Sequence, residues 1–231
     1  MTAKLKTEGF VCSENRVAAL MKKAGIFGCA KPKFKLMRDD NSYEKLPPVA
    51  RLFETGNPES MPQGSNQVWA GDITQMMTSE GWLYLAVVLD IFNRKVVGYS
   101  MSDHPDTEIV WEAMKLSICN QTKALSSDNP KLIAHSDQGR PYISSFYRDK
   151  LQMLGITQSM SRRGNCYDNA YVESFFHTLK VELIHRNQYQ TKAQMQLEIK
   201  DYIENWYNTQ RLHSSLGFKS PMNYEQEATA A

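Results

Sequence analysis

The sequence predicts an α/β protein in which a mixed five-stranded sheet is flanked by helices and preceded by a small basic helical arm. Three observations predict it. Residues 67–101 hold three β-branched and aromatic runs separated by short turns, and residues 107–160 alternate helical with strand patterning. Residues 1–38 carry nine Lys/Arg against Glu8 and Glu14. The 231 residues, 42% of them hydrophobic and 23% charged, suffice for one substantial core with a small appendage.

The arm, residues 1–38, has a net charge of +7, which leaves the remainder near −5 because the whole chain is +2. Such a segment, with Lys22 and Lys23 in it, reads either as a polyanion-binding arm or as a solvated basic surface. Ser13 is a good N-cap, Val17, Leu20, Met21 and Ala24 recur at helical spacing, and Gly25 stands where a C-cap belongs. A helix over 14–24 follows. "TAKLKTE" precedes it across Gly9, giving a partial helix-turn-helix-like outline. Residues 39–66, with prolines at 47, 48, 58 and 62 and few periodic apolar positions, read as a linker.

Residues 67–226 form the expected main domain. "QVWAGDITQM" (67–76), "WLYLAVVLD" (82–90) and "KVVGYSM" (95–101) are spaced for an antiparallel meander. Residues 107–121 are helical, with Ile109, Val110, Ala113, Met114 and Ile118 on one face and Thr107 near the start; "KLIAHSD" (131–137) returns as a strand. A helix over 144–155 ends at Gly155, "ITQSM" is a fifth strand, and "NCYDNAYVESFFHTLKVELIH" is a helix that Asp168 or Asn169 can cap. Its buried stripe is Val172, Phe176, Leu179 and Leu183. A three-strand meander followed by αβαβα is the RNase H-like arrangement. Near the C-terminus, Thr191 with Gln194 reads as a capping box, and Met195, Ile199, Tyr202, Ile203 and Trp206 as a stripe. "RLHSSLGFKSP" either adds Arg211 and Lys219 to a polyanion surface or closes the domain.

Several classes are excluded. No run of eighteen apolar residues exists and the N-terminus has no apolar signal segment, so a cytoplasmic, nucleoid-associated protein without membrane contact is expected. The four cysteines lack C-x-x-C spacing, which argues against a zinc site or a disulfide framework.

In the RNase H-like arrangement the first and fourth strands are neighbours and the helix over residues 170–183 packs across them. Asp72, Asp137 and Glu173 therefore converge although 64 and 35 residues separate them. Three carboxylates brought together repel unless a cation neutralises them. Oxygen-only ligands select hard ions, so two Mg²⁺ or Mn²⁺ ions are expected, and such pairs serve in-line phosphoryl transfer. His135, two positions before Asp137, is read as a buried histidine with a minor supporting role beside the acids. His177, one turn beyond Glu173, either helps position substrate or is a satisfied helix-surface histidine. Arg162 and Arg163 either grip phosphates or form a solvated pair. Asp90 is read as a turn or ion-pair residue, Asp103, Asp106 and Asp128 as local caps, and Trp69, Trp82 and Trp111 as core.

"NQVWAGDIT", "GWLYLAVVLDIFNRKVVGYSMSD", "HSDQGRPY", "QSMSRRGNCYDNAYVESFFHTLKVELIH" and "YNTQRLHSSLGFKSPMNYE" closely resemble the OrfB-type transposases of bacterial insertion sequences, relatives of retroviral integrases in the DDE superfamily. The resemblance runs from about residue 10 to 226 and includes the 35-residue gap between the last two acids. It implies an integrase catalytic core whose Asp72, Asp137 and Glu173 bind two divalent ions, nick the element's ends and direct a 3′-hydroxyl at target DNA. It also implies that Lys180, seven residues after Glu173, touches terminal DNA; the nearness of Arg162 and Arg163 to Glu173 favours their phosphate-gripping reading. An upstream-frame helix-turn-helix protein or fusion, insertion-sequence ends and target DNA, and further copies of the chain are the implied partners. The alternative is a catalytically silent DNA-binding remnant or regulator of transposition. "QGRPY" departs from the family's commoner "RGSQY" without touching an acid.

Overall fold

The computed structural model describes residues 1–28, 51–54, 56–121, 132–161 and 169–230. It comprises two units, Met1–Met37 and Arg38–Ala231. Residues 39–50 of the expected linker, and Asp128, lie outside the described residues.

In the first unit, α1 (Thr2–Thr7) is followed by α2 (Glu14–Lys23), whose Ser13 hydroxyl accepts the Arg16 N–H at 3.3 Å. Of the anticipated apolar stripe only Val17 is buried, and Leu20 is 57% exposed. Lys22 and Lys23 are exposed in the last turn, where their charge complements the negative end of the helix dipole.

The second unit is built on strands β1 (Val68–Thr78), β2 (Gly81–Asp90), β3 (Val96–Ser102), β4 (Ile133–Ser136) and β5 (Thr157–Met160). Their order is β3-β2-β1-β4-β5. β1, β2 and β3 pair antiparallel, while β4 runs parallel to β1 and β5 parallel to β4. Helices α3 (Thr107–Asn120), α4 (Arg140–Ile143), α5 (Ser145–Met153), α6 (Ala170–Glu182), α7 (Lys192–Asp201) and α8 (Pro221–Ala230) complete the unit.

Strand alternation divides the core in two. Trp69, Ala86, Val88 and Ala134 face α3 and α5, meeting Ile109, Met114 and Leu151; Val68, Ala70, Leu85 and Val87 face α6 and α7, meeting Val172, Phe175, Leu179, Met195 and Ile199. α3 crosses β3 so closely that a Cβ on Gly98 would stand 2.1 Å from Ser117 Oγ and 2.4 Å from the Ala113 carbonyl. Only glycine fits there.

Local chemistry moves several expected boundaries. Asp106, not Thr107, caps α3 by accepting the Ile109 N–H at 3.1 Å. The helix expected over 144–155 is α5, and the short α4 precedes it as a separate element, because Ser144 is extended (ψ 143°) and its hydroxyl accepts the Tyr147 N–H to start α5. Trp82 is 43% exposed rather than core; it sits beside the turn of the β1–β2 hairpin, paired with Met77, itself 52% exposed. Thr191 caps α7, but Gln194 turns to Glu198 instead of closing a reciprocal box.

α7 continues into a π-helical turn, Tyr202–Tyr207. A π turn takes more residues than an α turn, so the apolar stripe slips by one position. Tyr207 is buried in place of the expected Trp206, which is 45% exposed. The slip also aims Asn208 at the sheet. Its carboxamide accepts the Val96 N–H and donates to the Val96 carbonyl, both at 2.9 Å, as a neighbouring strand would. The turn between β2 and β3 is equally determined: buried Asp90 accepts the N–H groups of Asn66 (2.6 Å) and Phe92 (2.9 Å), and burial pushes its carboxyl up to about 6. Arg94 does not neutralise it, so Asp90 is a turn residue.

Asn208→Leu keeps most of the volume but strands both polar groups of Val96, and is expected to cost about 2–4 kcal/mol. A lowered urea midpoint with an unchanged slope checks this, with Asn208→Asp, which keeps only the acceptor, falling between.

Candidate active site

Period-two alternation decides which way the acids face. From Val68 and Ala70 on the α6 side of β1, the next position on that side is Asp72. On β4, His135 meets Phe53 of the α6-side core (ring centroids 5.2 Å apart), so Asp137, two residues on, continues that side. The parallel register matches Gly71 with Ser136, and the residues that follow them are Asp72 and Asp137. One pairing thus brings two acids to the same end of the sheet, on the same face.

α6 lies across that face and its first turn carries Glu173. The contact at its start is made by Asn169, buried, whose Nδ2 donates to the Gly71 carbonyl at 3.5 Å. Neither Asp168, outside the described residues, nor Asn169 supplies a described cap: the Asn169 side chain makes no cap hydrogen bond. The buried stripe of α6 is Val172, Phe175, Phe176 and Leu179, with Leu183 only partly buried, which leaves Glu173 exposed on the flank.

Each aspartate is oriented by a backbone N–H. Asp72 Oδ1 accepts from Ile73 at 2.7 Å, and Asp137 Oδ1 accepts from Gly139 at 2.9 Å. A Cβ at position 139 would lie 2.9 Å from the same oxygen, so the glycine lets the turn close under the acid. Burial holds the carboxyl of half-buried Asp72 well above the usual range; Asp137 and then Glu173 push it the same way, while the Ile73 N–H and Lys180 oppose them. Glu173 is also raised, by partial burial and by Asp137. Lys180, half-buried two turns beyond Glu173, is lowered by burial and supported by Asp72. The three acids and Lys180 share one electrostatic neighbourhood. Among the described residues, no group of three His, Cys, Asp or Glu is drawn close enough to enclose a metal ion.

The remaining expected residues fall as follows. His135 is buried, with Nδ1 at 2.9 Å from Ser159 Oγ and Nε2 at 3.2 Å from Ser161 Oγ. Ser159 Oγ already accepts the Leu52 and Phe53 N–H groups, so its proton goes to Nδ1 and the ring carries its own on Nε2. That histidine fastens β4 to β5 and to the segment at 52–53. His177 is half-buried on α6, one turn past Glu173. Arg162 and Arg163 lie outside the described residues. Arg211 Nε reaches both oxygens of Glu182, at 3.0 and 3.1 Å, and so ties the C-terminal segment to α6. Sequence reading missed Tyr142, a buried phenol in the field of Asp72 and Asp137, with Cε1 and its hydroxyl each 3.4 Å from where a Gly71 Cβ would be. An aromatic three positions after the glycine of the Asp-x-Gly turn was its only trace.

Comparison with known proteins agrees with this geometry. Integrase core domain families match residues 62–166 and 154–221. The transposase for insertion sequence element IS904 of Lactococcus lactis is 40% identical over 98% of this chain and 85% of its own length. Transposase InsF for insertion sequence IS3A of Escherichia coli is 37% identical over 100% of this chain and 76% of its own. Among solved structures, the HTLV-2 integrase catalytic core domain in complex with magnesium, in its trimeric form, superposes with a TM-score of 0.52 at 16% identity, covering 71% of this chain and 98% of that one. A chain of the simian T-cell lymphotropic virus intasome in complex with PP2A regulatory subunit B56 gamma gives 0.56, also at 16% identity, over 80% and 60%. An RNase H-like sheet with this strand order, joined to identity along the whole chain, leaves one family: the chain belongs to the transposases of bacterial insertion sequences, in the DDE integrase superfamily, and acts in transposition.

Proposed function

We propose that Asp72, Asp137 and Glu173 are the catalytic acids of this transposase, and that they hold two divalent cations while insertion-sequence DNA is cleaved and joined to a target. The observation that carries the reading is mutual destabilisation: Asp72 and Glu173 both resist ionisation, and Asp137 contributes to each shift. Carboxylates alone make an oxygen-only donor set, which fits Mg²⁺ or Mn²⁺ and not a softer metal. When bound, such a pair supplies charge neutralisation and activation of the attacking and leaving oxygens of an in-line displacement.

The chain's own residues bind and orient. The Ile73 and Gly139 N–H groups fix one oxygen of each aspartate, and the α6 flank offers Glu173 to solvent, on the side a DNA backbone would approach. Lys180 places a cation beside Asp72, suited to a terminal phosphate. Arg162 and Arg163, with Lys22 and Lys23 of the arm, are the further cations proposed for DNA, and residues 1–38, 39–66 and 67–226 the proposed arm, linker and catalytic core. Two element ends must be held together, so several copies are proposed to assemble on DNA, with an upstream helix-turn-helix segment as recognition partner.

Asp137→Asn is expected to lower strand transfer of element-end DNA by more than about 100-fold while leaving DNA binding in place. Joined products at the parental rate would remove Asp137 from the reaction. Equal failure of parent and variant, with DNA binding intact, would support a silent DNA-binding protein.

A second expectation concerns pH. The folded pKa of Asp72 is raised, so the carboxyl favours the fold below its unfolded value of 3.8 and that contribution is lost as pH rises through the folded value. In chelator, Asp72→Asn should therefore melt above the parent at about pH 8, by about 2–4 °C per kcal/mol of relieved repulsion, with the gap closing toward about pH 4. Differential scanning calorimetry across that range checks it.

A further inference from the structure

Arg94 occupies a costly position. It is one of three described non-glycine residues with positive φ, at 63°, in the turn between β2 and β3. Glycine or asparagine adopts that conformation at lower cost, and an arginine there persists only when its surroundings fix it. They do. The Arg94 N–H donates to the Asp90 carbonyl at 2.9 Å, and the Lys95 N–H to Asn93 Oδ1 at 2.9 Å. Asn93 Nδ2 donates to Ser65 and to Glu225 of α8, each at 3.2 Å, and Lys95 pairs with Glu225 at 2.6 Å.

What this rigid turn presents is a guanidinium. Its Cζ stands 3.6 Å from the centroid of the Tyr171 ring, and its Nη1 is buried without a hydrogen-bond partner among the described residues. A polar atom left unpaired in the interior is tolerated where the group is used for something else, here a face-on cation–π contact that gains strength from the missing water.

Tyr171 lies in the first turn of α6, two residues before Glu173. Val172 packs that turn into the core, but its polar ties are few. Asn169 makes no side-chain cap, its Oδ1 is buried without a partner among the described residues, and its bond to Gly71 is long at 3.5 Å. Among the described residues the Tyr171 hydroxyl reaches only Met61 Sδ, at 3.8 Å, and its ring lies 6.4 Å from that of Phe53. Of the contacts made by the Tyr171 side chain itself, the Arg94 stack is the closest.

We infer that Arg94 is a positioning residue for the divalent-ion site: by clamping Tyr171 it sets the pose of the first turn of α6 and hence of Glu173 relative to Asp72 and Asp137. The inference rests on the acidic-site reading above. A planar guanidinium can lie flat on a ring where an ammonium cannot, so the function belongs to the arginine's shape and not to its charge alone.

The test is Mn²⁺ binding by the 231-residue chain, followed by titration calorimetry in the absence of DNA and well below the melting temperature. Arg94→Lys keeps the charge and is expected to weaken Mn²⁺ about tenfold, within the range for residues that support a metal ligand. Tyr171→Leu should weaken it similarly, Tyr171→Phe should not, and Arg94→Lys with Tyr171→Leu should be no worse than either alone. Metal-free melting of Arg94→Lys should stay close to the parent. If Arg94→Lys melts lower yet binds Mn²⁺ within twofold of the parent, its role is structural and the inference is overturned. Glu173→Gln separates the two readings. Its loss of Mn²⁺ binding with Arg94→Lys unaffected overturns this inference alone, whereas unimpaired binding by Glu173→Gln overturns the acidic site and this inference with it.

Discussion

The site depends on one strand pairing. Four residue pairs, Val68 with Ile133 through Gly71 with Ser136, set β4 parallel to β1, and everything that follows is register. A slip by one residue would turn every side chain of β4 to the opposite face, burying Asp137 among Trp69 and Met114 and bringing His135 out of its serine pair. Hence the strength of the surrounding fixings: the Ile133 N–H donates to Gln67, the Ser161 N–H to Ser136, and His135 bridges to β5 from both ring nitrogens. These bonds hold a short strand that ends beside one of the three acids.

That disfavour is the second theme. Folding brings carboxylates together at an energetic cost that Lys180 and two backbone N–H groups only partly offset. Stability and the proposed chemistry are therefore set against each other at this end of the sheet. The opposing strength comes from elsewhere: two apolar cores either side of the sheet, and the ties of α8 and the π turn to β3 and to the loop before it. The acids are tolerated because the scaffold that carries them is held from both faces.

Much of this was legible in the sequence, for physical reasons. Strand alternation and the meander's short turns gave β1, β2 and β3 within one or two residues, and the apolar spacing of 172, 176 and 179 gave the orientation of α6. Asp72, Asp137 and Glu173 could be grouped because strand order follows from topology. What escaped were features without a periodic signal. The π turn obeys no 3.6-residue repeat, so Trp206 was expected where Tyr207 lies. The exposure of Trp82 follows from its place beside the hairpin turn, opposite Met77, which composition does not encode. Tyr142 and Arg94 act through contacts between elements far apart in the chain, and no local pattern announces them.

The Asn208 carboxamide, which stands in for a neighbouring strand beside Val96, bears on how such molecules crowd together. β3 is the outermost strand on its side and β5, on the other, is only four residues long. An open margin of that kind would let one molecule's sheet add to the next, ending in insoluble fibres. With Val96 at one margin already paired to an amide and the other margin only four residues long, each side offers a neighbouring sheet a shorter ladder to extend.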